Sequence, residues 1–130
     1  MSQSLIALLL AILHATSVEE YISSQDAAID IAHCHYSELQ QIAVEHEDQR
    51  VRKEAMTLVE LLAQSDAEEF LSQRARLELD KTVSDHAKVL LFRLITAKNL
   101  LDSKSLTLDQ YEAYRLQVRV DSARLIFRSE

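Results

Sequence analysis

Residues 66–101 read DAEEFLSQRARLELDKTVSDHAKVLLFRLITAKNLL. Apolar side chains recur there three and four apart, at Leu71, Ala75, Leu79, Val83, Ala87, Leu90, Leu94, Ala97 and Leu101. This is the period of a helix with one buried face, and no strand-like alternation interrupts it. The stretch is read as one long helix or as two shorter ones meeting near Asp80–Ser84.

The same spacing continues on both sides. Upstream it runs through Ala28, Ile31, His35, Leu39 and Ile42, and again through Val51, Ala55, Leu58 and Leu62. Downstream the last helix carries two stripes, Tyr111, Tyr114, Val118 and Leu125 on one side and Ala113, Leu116, Val120, Ala123 and Phe127 on the other. A surface helix needs one apolar face, so two stripes place this helix at the centre or against a partner. At the other end, Leu5–Leu13 (LIALLLAIL) is apolar nearly all round and is read in the same two ways. It is far shorter than the ~20 residues that span a bilayer. It is read as a buried helix and not as a secretory signal, because no Lys or Arg precedes it.

Composition supports helix throughout. The 130 residues include no glycine and no proline, an outcome with a chance of roughly one in ten million at average usage. Without them, hairpins, sandwiches and barrels lose their usual turn chemistry. The phosphate-cradling loop, the dinucleotide fingerprint, the nucleophile elbow and the EF-hand turn are excluded, since each requires glycine. The length suits one domain over residues 1–130. A single cysteine, Cys34, forms no intrachain disulfide, and the expected compartment is the cytoplasm.

Helix starts are read from capping boxes at Ser17-Val-Glu-Glu20, Ser65-Asp-Ala-Glu68 and Thr107-Leu-Asp-Gln110. Breaks follow at His14–Thr16, Gln64 and Asp102–Leu106, with weaker ones near His46–Gln49 and Asp80–Ser84. The expectation is an all-α, up-and-down bundle of four to five antiparallel helices in a single domain. Asp48, Val51, Arg52, Ala55, Leu58 and Leu62 resemble the second helix of a HEAT repeat. The resemblance covers under a sixth of the chain, no repeat at a fixed period is read beside it, and it assigns no family.

Charge is segregated. Residues 1–49 hold eight acids and no Lys or Arg, while residues 50–130 hold all fourteen basic residues and thirteen acids, for a net charge of −7. A net acidic chain is a poor general ligand for nucleic acid, so direct nucleic-acid binding is not expected. Acidic mimicry by Glu19, Glu20, Asp26, Asp30, Glu45, Glu47 and Asp48 is a further alternative, decided by whether these carboxylates form an exposed stripe or pair with Arg50, Arg52 and Lys53.

The densest chemical cluster is Asp30-Ile-Ala-His33-Cys34-His35-Tyr36-Ser37-Glu38. On one helix His33, Cys34 and His35 diverge by about 100° each, so they cannot hold one ion together. Acidic neighbours also disfavour a thiolate at Cys34. A metal or haem site would need His33, His35 and Glu38 joined by a histidine of another helix, His14, His46 or His86, and this is the alternative reading. The primary expectation is a non-catalytic protein–protein interaction module, an adaptor, inhibitor or regulator without cofactor, forming a homodimer or binding a protein partner. Its contact residues are expected at Leu5, Leu9 and Leu13 on the first helix and at Tyr111, Tyr114, Arg115, Val118 and Arg119 on the last.

Overall fold

The computed structural model describes residues 4–128. They form seven helices and, among the described residues, no strand: α1 (Leu5–Leu13), α2 (Val18–Ala32), α3 (Tyr36–Glu45), α4 (Gln49–Leu62), α5 (Ala67–Leu77), α6 (Lys81–Asp102) and α7 (Leu108–Ile126). The all-α class stands, and the count of four to five is corrected to seven. One added break falls at His33–His35, and the weak one near residue 80 is a full connection at residues 78–80.

These helices are not a simple up-and-down bundle. α1 pairs with α2, α3 with α4, and α5 with α6, each pair a hairpin with a short connection. The first and third hairpins both pack on α4, which touches α1, α2, α3, α5 and α6. The central helix is therefore α4, and neither the first nor the last helix takes that place. Its buried residues lie on several faces: Val51, Ala55, Met56, Leu58 and Val59 with the acids Glu54 and Glu60. α7 then returns from α6 to α2 and closes the array.

The second and third hairpins are copies of one another. Leu39 and Leu71, Ala43 and Ala75, Asp48 and Asp80, Val51 and Val83, Ala55 and Ala87, Leu58 and Leu90, and Leu62 and Leu94 each lie 32 positions apart. Asp48 and Asp80 cap α4 and α6 with the same backbone conformation, φ −83°, ψ 118° and φ −77°, ψ 119°. Each carboxylate accepts the amide two residues on, from Arg50 and from Thr82. The HEAT-like helix pattern thus occurs twice, with Ser84 in place of Arg52. Arg52 braces the two copies: its guanidinium donates to the carbonyls of His46 and Glu47 and pairs with Glu78 at 3.1 Å, in a largely buried position.

Helix ends follow local chemistry without glycine. Thr107 and Gln110 form the full reciprocal box. Ser17 accepts the Glu20 amide, but the Glu20 carboxylate turns to Thr16. The Ser65 box does not form: α5 starts at Ala67 after Asp66, whose carboxylate is held instead by Tyr36 (2.8 Å) and Gln40 (3.0 Å) of α3. Two connections use left-handed non-glycine residues, Ala63 (φ 49°) and Lys104 (φ 60°). Among the described residues no helix is long and apolar enough to cross a membrane.

Candidate functional site

Where α7 crosses α2, α4 and α6, the packing turns from apolar to polar. α7 fully buries only Ala123, so its place is set mainly by charged and hydrogen-bonded groups. Arg115 lies 3.0 Å from the Glu60 carboxylate and donates to the Glu60 carbonyl at 2.8 Å, a position near the end of α4 where the helix dipole favours a cation. Arg119 pairs with Asp26 at 2.8 Å and donates to the Gln25 side-chain oxygen at 3.3 Å. Tyr21 meets Phe127 edge to face at 6.2 Å.

Beneath this layer Glu54 is buried at 7% exposure. It accepts from the Tyr21 hydroxyl at 3.1 Å and from the Gln25 amide at 3.0 Å. Burial pushes its carboxyl above the ordinary glutamate range, against the pull of those donors and of Lys53. Burial likewise raises Glu60, with Arg115 and Arg93 opposing. Burial and the Glu54 charge raise the Tyr21 hydroxyl, which stays protonated and donates.

His86 of α6 completes the layer, its Nε2 2.8 Å from the Thr57 hydroxyl. That hydroxyl gives its one proton to the Lys53 carbonyl at 3.0 Å, so Nε2 carries the proton and donates. Burial, with Lys53 and Arg93 nearby, pushes His86 down to about 4. It is neutral at physiological pH.

The four helices line a partly open cavity of about 200 Å³, reached by Tyr21, Glu60, His86, Arg93, Tyr114 and Val118 among others. Most of the contact residues expected on α7 are its wall: Tyr114, Arg115, Val118 and Arg119 line it. Tyr111 holds Arg115 from behind, by a 3.2 Å hydrogen bond and with the guanidinium 5.9 Å from its ring centre. Within the chain Arg115 is paired with Glu60 and Arg119 with Asp26. The first helix places Leu5 and Leu9 inward. At 2% and 0% exposure they belong to the core, and Leu13 packs against it. The second stripe of α7 arises because the helix is a roof, with one side over the cavity and the other partly bare.

His33, Cys34 and His35 form the exposed α2–α3 connection. His35 Nδ1 lies 3.8 Å from Glu38, both half-exposed, and among the described residues no three His, Cys, Asp or Glu side chains converge as metal ligands. His86 lines the cavity and His35 does not, so they are not paired across it. The acidic stretch is divided: Asp48 pairs with Arg50 and Asp26 with Arg119, while Glu19, Glu20, Asp30, Glu45 and Glu47 are exposed.

A surface that the sequence reading missed lies on α6, where Val89 is 46% and Phe92 71% exposed one turn apart. Their equivalents one copy earlier are Thr57 and Glu60, both covered: Thr57 meets His86 of α6 and Glu60 meets Arg115 of α7. The 32-residue offset is the signal that finds them. Comparison with protein-family models, curated proteins and solved structures finds no match to this chain.

Proposed function

We propose that this protein is a non-catalytic helical interaction module, a regulator or adaptor that self-associates through the outer face of its last hairpin. The observation that carries this reading is the exposure of Phe92 and Val89 at positions whose counterparts in the preceding copy are covered by the next elements of the chain. Arrays of stacked helical hairpins need a polar outer face on the terminal unit to remain unpaired. Here α6 presents an aromatic and a branched side chain instead, and Leu77 and Leu79 beside its start are 59% and 100% exposed.

A second copy is the occupant that the internal repetition favours. The chain already packs one such hairpin on its own duplicate, through α4 and α6. A twofold contact between two α6 faces would use the same shapes again and close on itself. An exposed free thiol at Cys34 fits a reducing cytoplasm.

Light scattering on the full chain tests the proposal. The wild type is expected as a dimer, and Phe92→Asp with Val89→Asn as a monomer of unchanged helicity. A monomeric wild type overturns it.

A further inference from the structure

We infer that the cavity beneath α7 is a binding site for a small monocarboxylate with an apolar body, held by Arg93 and Tyr114. Three arginines stand in or around this cavity. Arg115 and Arg119 are matched to Glu60 and Asp26. Arg93, partly buried on α6, has neither an ion pair nor a side-chain hydrogen bond among the described residues, and the hydroxyl of Tyr114, a lining residue on α7, has no hydrogen bond among them either. Two residues with unused donors therefore line one cavity from two helices.

The charge of the layer agrees with an anionic ligand. Of the three arginines lining the cavity, Arg115 and Arg119 are already paired, with the carboxylates of Glu60 and Asp26. The guanidinium left without an ion pair among the described residues is that of Arg93. A carboxylate is the anion whose planar pair of oxygens a guanidinium binds through two parallel hydrogen bonds.

Size and lining set the rest of the ligand. The other walls include Leu90, Ala97, Val118 and Leu125, so the body of the ligand is apolar. At about 200 Å³ the space exceeds the ~150 Å³ cavity that holds a benzene ring, leaving room for a ring or short chain with its carboxylate. Because α7 forms the roof, such a ligand would tie α7 to α6.

The probes are benzoate and its neutral counterpart of similar shape, benzyl alcohol, titrated into the full chain and followed by backbone amide shifts in α6 and α7. Saturable benzoate binding is expected, with benzyl alcohol at least about 10-fold weaker and Arg93→Gln lowering benzoate affinity about 10-fold or more while the circular dichroism is unchanged. Absence of saturable benzoate binding up to about 10 mM, or equal affinity for the two probes, overturns the assignment on the wild-type protein alone. Unchanged benzoate affinity in a folded Arg93→Gln protein overturns it as well.

Discussion

Arg115 of α7 grips Glu60 of α4 twice, through its carboxylate at 3.0 Å and through its backbone carbonyl at 2.8 Å. The contact joins residues 55 positions apart and pins the last helix over the central one. Both side chains are nearly withdrawn from water, at 14% and 7% exposure, so neither charge is easily solvated alone. Arg115→Met strands the Glu60 charge and is expected to destabilise the fold by about 3 kcal/mol. The double variant Arg115→Met with Glu60→Gln should recover a large part of that loss. Urea unfolding of the four proteins of the cycle measures it, and additive losses would show that the two residues do not act as a pair.

His86 gives stability a defined pH dependence. Its pKa is about 4 folded and about 6.5 unfolded, so between these values the unfolded chain binds the extra proton. The stability held above pH 6.5 is therefore lost as pH falls toward 4, by about 3 kcal/mol. His86→Gln keeps a donor for Thr57 and removes this titration. The difference in unfolding free energy between wild type and variant should change across that window and be flat above pH 7. Glu54 and Glu60 act in the opposite sense, being raised, so their contribution falls as pH rises above the ordinary glutamate value. They are common to both proteins and cancel in the difference.

Ala63 and Lys104 occupy left-handed backbone positions that cost a residue with a Cβ about 1 kcal/mol or more. Ala63→Gly and Lys104→Gly relieve that strain at the price of a looser unfolded chain. Each is expected to raise stability by about 0.5 kcal/mol, whereas glycine at a helical site such as Ala87 should lower it by about 1 kcal/mol. Thermal and urea unfolding decide the sign.

Much of this fold was legible in the sequence, and the illegible parts have physical reasons. Missing glycine and proline, with three-and-four spacing, identified helices, and Ser17 and Thr107 marked two of their starts. The α2–α3 break was hidden because His33 keeps helical dihedrals (φ −55°, ψ −39°), so the apolar pattern from Ala28 to Ile42 runs across the turn almost undisturbed. The repeat was hidden because only scattered core positions and the capping aspartates recur, while Arg52 became Ser84. The site was the least legible. Glu54 and Glu60 look like surface acids on an amphipathic helix, and only the return of α7 over α4 buries them. For the same reason nothing in the sequence tied Arg115 to Glu60 or Arg119 to Asp26.

Self-association through α6 is the central claim, and the molar mass of the full chain in solution tests it most directly. Light scattering should give twice the 14.8 kDa of one chain for the wild type and 14.8 kDa for Phe92→Asp with Val89→Asn, at equal helicity. A wild-type mass of 14.8 kDa across the accessible concentration range, or a dimer that survives both substitutions, would contradict the account.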